Sequence, residues 1–141
     1  MLVGCAVMGG GEHPPTLSAD EGIDLRSQAL ERLMFILDDA QPSTTRRQFL
    51  IDLSSDDRAT RDSILGRLQA SIGSRFDFKV SGVRDANACL ISASLSKREG
   101  NVVTVVGRAK PGYGGTGIFF LEFSKKGGSF TYRGINARAS S

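Results

Sequence analysis

The stretch Ile118–Phe123, with the sequence IFFLEF, constrains the fold more than any other part of the chain, because all of its residues except Glu122 are apolar. Alternate residues of a strand point to opposite faces of a sheet, so both faces of this strand are apolar. A strand of this kind is typical of a sheet covered on both sides. We therefore expect it to lie inside the fold, under amphipathic helices from upstream in the chain.

The length and composition are those of one globular domain. The chain has 141 residues, of which 40% are hydrophobic and 23% charged. A domain of this size buries about two-thirds of the surface of its unfolded chain, which is enough to fold without disulfides or metal ions. We expect a single α+β domain over residues 18–138, a flexible N-terminal tail over residues 1–17 and a disordered tail over residues 139–141.

Two segments have the pattern of amphipathic helices. The first begins at Ser18-Ala19-Asp20-Glu21, which fits a capping box, with Asp24 as an alternative cap because Gly22 weakens the first turn. Pro42 prevents this helix from continuing. The second runs from Asp57 to Ile72, where a preceding Ser/Asp cluster supplies the cap and Gly73 supplies the stop. The apolar residues recur at intervals of three to four along both segments, which predicts one buried face on each helix.

The remaining segments predict strands. A strand over Thr45–Leu53 separates the two helices, and alternating patterns over Phe76–Val80 and Cys89–Leu95 indicate half-buried antiparallel strands. Glycines at Gly100 and in Lys126-Gly127-Gly128-Ser129 are typical of tight hairpins. The predicted fold is α+β, with two amphipathic helices packed on a mainly antiparallel, strongly twisted sheet of about five to six strands.

Charge divides the chain unevenly. Residues 1–96 carry 10 Lys/Arg and 13 Asp/Glu, a net charge of −3, while residues 97–141 carry 8 and 2, a net charge of +6. Two interpretations remain open: basic residues protect strand edges and turns from other chains, or they bind an acidic partner. The residues expected to contact such a partner are Arg108, Lys110, Tyr113, Lys125, Lys126 and Arg133.

The glycine-rich segment 110–117 is the favoured contact loop among these. It resembles a phosphate-binding loop in composition, but such a loop leads into a helix, and here the strand at Ile118 follows. A mobile hairpin loop is the expected structure. Its length, together with Tyr113, Lys110 and Arg108, favours contact with a partner, although mobility alone also explains the glycines.

The N-terminal residues contain a short motif of another kind. Leu2-Val3-Gly4-Cys5 resembles the lipobox of bacterial lipoproteins. The resemblance implies that Cys5 is lipidated and that the segment up to residue 17 is a tether between a membrane and the domain. The expected location is then the cell envelope or the periplasmic side of a membrane. The alternative is an ordinary flexible tail on a cytoplasmic protein.

The sequence lacks the residue types of common catalytic sites. His13 is the one histidine, and it lies in the expected tail. Cys89 occupies an inward strand position and is expected to be a small buried apolar residue. The two cysteines lack the spacing of a zinc site. We therefore expect no catalytic residues, no metal, no cofactor and no enzymatic activity.

Two functions follow as hypotheses. The first is a non-enzymatic binding or structural module, tethered to a bacterial membrane, that contacts a protein or an anionic envelope component. The second is a small basic nucleic-acid-binding domain that uses Tyr113, Phe130 or Tyr132 to stack on bases. The oligomeric state does not follow from the sequence.

Overall fold

The computed structural model describes residues 17–40, 48–80, 88–110 and 115–140, with side chains up to Asn136. The elements follow in the predicted order of helix, strand, helix and five strands. Their bounds are α1 Ala19–Ala40, β1 Gln48–Ile51, α2 Arg58–Ile72, β2 Asp77–Val80, β3 Cys89–Glu99, β4 Val102–Lys110, β5 Gly117–Lys126 and β6 Ser129–Ser140.

The strands form one mixed sheet of six strands in the order β2-β1-β3-β4-β5-β6. Each pair from β3 to β6 is antiparallel and consecutive in the chain. Both helices contribute to one hydrophobic core with this sheet. The predicted class, α+β with two helices on a mainly antiparallel sheet, is therefore confirmed.

β1 differs from the other strands because both of its neighbours run parallel to it. The prediction that the run Phe76–Val80 is antiparallel is wrong. α2 connects β1 to β2 as a crossover, and a crossover helix returns the chain so that both strands run in the same direction. β2 and β3 flank β1 as a result, and Phe78 and Cys89 both lie beside Phe49.

α1 begins with the predicted capping box. The Ser18 N–H donates to Glu21 Oε1 and the Glu21 N–H donates to Ser18 Oγ, each at 3.2 Å. These two bonds satisfy backbone donors that have no partner inside the helix. The face of α1 that packs on the sheet is fully buried at Leu25, Ala29, Leu30, Leu33 and Met34.

α2 begins and ends where the sequence predicts. Asp57 is the N-cap, and its carboxylate accepts a hydrogen bond of 2.8 Å from the Thr60 N–H. The helix ends at Ile72, directly before Gly73. Gly73 has φ −62° and ψ −22°, so it continues in the right-handed region and does not use the conformational freedom of glycine.

Two glycines shape the hairpins as predicted. Gly100, between β3 and β4, has φ 61°, and Gly127, between β5 and β6, has φ 65°. Residues with a Cβ rarely adopt this left-handed conformation, so glycine is the residue that these turns require.

The boundaries of the described domain differ slightly from the expected ones. Leu17, assigned to the tail from sequence, packs against the core. Residues 139 and 140, also assigned to a tail, continue β6, where Ser140 pairs with Gly117. Strand pairing uses backbone groups, so the side-chain pattern does not mark the end of a strand. Residues 1–16 and 141 lie outside the described part of the chain.

Helices cover one side of the apolar segment of β5, and cover of its other side stays a prediction. Phe119, Leu121 and Phe123 are buried in the core beneath the helices. Ile118 and Phe120 point to the other side and remain half-buried. The two helices lie on the same side of the sheet, so the apolar pattern of this strand has helical cover on one side only.

Candidate binding surface

We name the sheet surface opposite α1 and α2 the open face. Its apolar centre consists of Val106, which is 8% exposed, and the half-buried Leu90, Ile118 and Phe120. No helix in the described part of the chain covers these side chains. Leu90, Ile118 and Phe120 each keep part of their surface accessible, whereas Leu50 on the same face is 1% exposed.

Arg108 and Lys110 lie on the open face at one end of β4. Both side chains are exposed. In the register of the sheet, Arg108 lies opposite Ser92 and Lys110 lies opposite Leu90. Neither cation forms an ion pair within the described residues. The structure thus places two of the predicted contact residues together, with their charges directed to solvent.

A third cation, Lys79 on β2, belongs to the same end of the open face. The register places Lys79, Leu50, Leu90 and Lys110 side by side on four neighbouring strands. Lys79 and Lys110 are therefore about 14 Å apart, since three strand spacings separate them. We name Lys79, Arg108 and Lys110 the basic end. The sequence did not indicate Lys79, because its position depends on the parallel pairing of β2 with β1.

Arg26 on α1 connects the start of α2 to β3 beside the basic end. Its Nη1 and Nη2 donate to the two carboxylate oxygens of Asp56 at 2.6 and 2.8 Å, and its Nε donates to the Ala93 carbonyl at 3.0 Å. The pairing of β1 with β3 ends at Ile51 and Ile91, so the edge of β3 is open beyond that point. Arg26 satisfies a carbonyl on this open edge and connects it to the start of α2.

A cleft of about 380 Å³ lies between the Arg26–Asp56 ion pair and Arg108. It is at the carboxyl end of β1, which has a parallel neighbour on each side. Ligand crevices in sheets with parallel strands commonly form at the carboxyl ends of those strands. Hydroxyl groups line much of it, from Ser55, Ser92 and Ser94. A guanidinium beside several hydroxyls is suited to hold a carboxylate or phosphate group by hydrogen bonds.

Asp52 adds a negative charge to this cleft. Ser54 donates to Asp52 Oδ1 from its hydroxyl at 2.7 Å and from its N–H at 3.0 Å. These hydrogen bonds lower the pKa of Asp52. A carboxylate with a lowered pKa is a weak base, so the contact between Ser54 and Asp52 does not resemble an activated nucleophile. It stabilises the turn that leads into α2.

Lys125 has a different environment from the basic end. Its Nζ lies 2.7 Å from Glu21 Oε2 and 5.7 Å from the centre of the Phe130 ring. The hydrogen bond from Lys125 is the main cause of the lowered pKa of Glu21. Lys125 therefore connects the hairpin between β5 and β6 to the start of α1.

Lys126 is exposed on the same hairpin, far from the basic end. Arg108 lies opposite Ile118, and Val102 lies opposite Ser124, at the other end of the two strands. Six residues along a strand span about 20 Å. The predicted contact residues consequently do not form one cluster.

Arg133, on β6, is exposed and faces the hairpin end of the open face. It lines a second cleft with Glu122 and Asn136. Tyr113 and Cys5, the two other residues expected to have a functional role, lie outside the described residues.

The aromatic residues expected to stack on nucleic-acid bases are engaged elsewhere. Phe130 is 5% exposed and belongs to the core. Tyr132 lies against the Phe123 ring, with a centroid separation of 5.5 Å, and against the guanidinium of Arg32 at 4.7 Å. The pKa of Tyr132 is raised, because burial outweighs the opposing effect of the Arg32 charge. Neither ring is part of the open face.

Within residues 17–40, 48–80, 88–110 and 115–136, no three His, Cys, Asp or Glu side chains form a group suited to a metal ion. Neither α1 nor α2 has the length and apolar character to span a membrane.

Comparison of the chain with protein-family models, with curated proteins and with solved structures finds no match.

Proposed function

We propose that this protein is a non-enzymatic binding domain that holds an acidic group of a partner on the basic end of its open face. The observation that carries the proposal is the placement of Arg108 and Lys110. Both are exposed and lack ion-pair partners among the described residues. Arg108 lines the cleft that contains the three serine hydroxyls, and Lys110 lies opposite the half-buried Leu90. Arginine beside partly exposed apolar surface is a common composition of protein interfaces.

The open face is better suited to recognition than the two edges of the sheet. β2, at one edge, has four residues. β6, at the other edge, has register shifts opposite Phe120/Leu121 and Glu122/Phe123. Short strands and bulges are the means by which proteins protect sheet edges from pairing with other chains. Because both edges are protected against strand pairing, we expect a partner to bind the open face and not an edge of the sheet.

The partner is a protein with an acidic segment or an anionic component of a bacterial envelope. The proposal places the domain on a tether whose Cys5 carries a lipid, at the periplasmic side of a membrane. A domain held near a membrane meets envelope components at a raised local concentration, so weak contacts at the basic end suffice for binding.

The second candidate function is binding of single-stranded nucleic acid through the same cations. Phosphate contacts need only Lys and Arg, which the basic end supplies. Stacking on aromatic side chains usually supplies further affinity for single strands. Phe130 and Tyr132 are engaged in or beside the core, so this candidate has less support than the first.

Binding measurements with three defined probes test the proposal. The probes are a hexaglutamate peptide, vesicles of phosphatidylglycerol with phosphatidylcholine, and a thymidine oligonucleotide. The paired variant Arg108→Glu with Lys110→Glu should weaken binding of the preferred probe by about tenfold or more. Raising the salt concentration should weaken binding by the wild-type protein, because the contacts are electrostatic.

A variant with the same change of net charge serves as the control. Arg67→Glu with Lys126→Glu alters two exposed cations outside the basic end, one in the middle of α2 and one on the hairpin between β5 and β6. It should bind nearly as well as the wild type. Equal losses in the two variants would mean that net charge, and not the basic end, governs binding. Absence of binding to all three probes would overturn the proposal, and a preference for the oligonucleotide would favour the second function.

The tether is tested separately, by expression from the native gene with its upstream codons. Protein recovered in the membrane fraction, released by detergent but not by salt, is the expected result. Cys5→Ser should move the protein to the soluble fraction. An unmodified Cys5 in the mass spectrum of the native protein would remove the lipid anchor from the proposal and leave the binding surface unaffected.

A further inference from the structure

A second cleft lies at the hairpin end of the open face, distant from the basic end. Its volume is about 300 Å³, at the lower limit of typical ligand pockets. We name it the Thr104 cleft. The polar side chains that line it come from four strands and are Lys97, Glu99, Thr104, Glu122, Arg133 and Asn136.

Two bulges in β6 build one side of this cleft. Phe123 pairs with Tyr132 and Glu122 pairs with Gly134, so Arg133 is an extra residue between two paired positions. Leu121 pairs with Ile135 and Phe120 pairs with residue 137, so Asn136 is a second extra residue. Extra residues at bulges change the direction of side chains, and bulges are frequent beside functional sites. Both extra residues in β6 line the Thr104 cleft.

Opposite charges line the cleft without neutralising each other. Arg133 and Glu122 do not approach within the 4.0 Å of an ion pair, and neither has another ion-pair partner in the described part of the chain. Lys97 and Glu99, by contrast, form an exposed pair at 2.9 Å. A carboxylate and a guanidinium that share a cleft but remain apart leave room for a ligand that bridges them.

Thr104 gives an independent indication of a ligand. The residue is 4% exposed and lies near the hairpin end of the open face, on β4 opposite Glu122 and Lys97. Its hydroxyl forms no hydrogen bond with the described residues. Buried polar groups usually have a hydrogen-bond partner, because an unsatisfied group costs free energy. A ligand in the cleft would supply this partner.

We infer that the Thr104 cleft binds a small zwitterion of the free amino acid type. The ligand carboxylate pairs with Arg133, its ammonium pairs with Glu122, and Thr104 and Asn136 supply neutral hydrogen bonds. A free amino acid carries its two charges a few ångströms apart, which suits two opposite charges on one cleft wall. The inference does not depend on the proposed function, because the basic end contributes none of these side chains.

The experiment is a titration of the isotopically labelled full chain, followed by amide chemical shifts. The probes are L-alanine, L-glutamine and L-phenylalanine, each up to about 10 mM, a range that detects weak affinities. Acetate and methylammonium, which each carry one of the two charges, are the matched control probes. The expected result is a saturating shift of residues 104, 122, 133 and 136 with at least one amino acid, and much smaller shifts with either control.

Two neutral variants test the assigned contacts. Arg133→Gln and Glu122→Gln should each weaken binding by about tenfold or more, as expected for loss of a charged contact. The double variant should lose less than the product of the two single effects, because one ligand couples the two charges. Lys126→Gln, on the neighbouring hairpin, should leave the affinity unchanged. Thermal melting of each variant establishes that it is folded.

Three results would overturn the inference. The first is the absence of saturating shifts with all three amino acids. The second is an equal response to acetate or methylammonium, which would indicate nonspecific ion contact. The third is unchanged affinity in the folded Arg133→Gln and Glu122→Gln variants. Binding at the basic end does not affect any of these outcomes, so the two proposals succeed or fail separately.

Discussion

The two faces of the sheet carry similar strand sequences but differ in what covers them. On β5, Phe123 is 0% exposed beneath the helices, while Phe120, three residues earlier, is half-buried on the open face. On β4, Val105 and Ala109 are buried in the core, while Arg108 and Lys110 face solvent. The difference shows that an apolar strand pattern identifies residues capable of burial, whereas the placement of the helices decides which of them form the core.

The largest expected effect compares two phenylalanines on the same strand. Phe123→Ala should lower the free energy of unfolding by about 3–5 kcal/mol, because it leaves a cavity in a packed core. Phe120→Ala should cost about 1 kcal/mol, since part of its ring already contacts water. Denaturant unfolding of the two variants measures both values. Equal losses would show that the open face is covered in solution and would remove the distinction between the faces.

The second prediction concerns the bridge between the helices and the edge of β3. Asp56→Asn removes one charge from a bidentate contact whose side chains are 17% and 14% exposed. The charge on Arg26 is then left partly buried, and the expected loss is about 2 kcal/mol. Asp62→Asn breaks the exposed pair with Arg58 and should cost less than about 0.5 kcal/mol. Chemical denaturation distinguishes these cases, and a loss of the same size in both variants would contradict the structural role of Arg26.

The third prediction examines how closely α1 approaches the sheet. A Cβ at Gly107 would lie 2.8 Å from Leu33 Cδ1, on the face beneath α1. Gly107→Ala should therefore cost about 1–3 kcal/mol through overpacking. Gly128→Ala is the control, because a Cβ there meets nothing within 4 Å, and its effect should stay within about 0.5 kcal/mol. Thermal melts of both variants test the contact, and an unaffected Gly107→Ala protein would mean that α1 lies farther from β4.

The smallest expected effect is a loss of stability at acidic pH. Its cause is a set of carboxylates at helix starts and in a turn, outside the hydrophobic core. Hydrogen bonds lower the pKa values of Glu21, Asp52 and Asp57 in the folded protein. A lowered folded pKa means that the unfolded chain binds protons more readily, so the stabilisation is complete above the unfolded pKa values and decreases as the pH falls below about 4. Denaturant midpoints measured between neutral and acidic pH test the sign. The variant Asp52→Asn should show a weaker dependence, and an unchanged profile would exclude the Ser54 contact.

The sequence predicted part of the candidate surface. Arg108 and Lys110 were predicted as contact residues in a loop, whereas the structure places both on β4, where the two-residue period of a strand puts them on one side. Lys79 and Arg26 were missed, since both acquire their positions from distant elements: Lys79 through the parallel pairing of β2, and Arg26 through Asp56, 30 residues away. Lys125 was grouped with the contact residues because nothing local indicates Glu21, which lies 104 residues away.

The sequence by itself determined the features that depend on neighbouring residues. The capping box at Ser18 and Glu21, the cap at Asp57 and the hairpin glycines at Gly100 and Gly127 all depend on hydrogen bonds or backbone angles within a few residues. Tertiary structure alone decided the parallel placement of β1 and the helix-covered side of the sheet. These outcomes depend on contacts between distant segments, whose free energies no local pattern records.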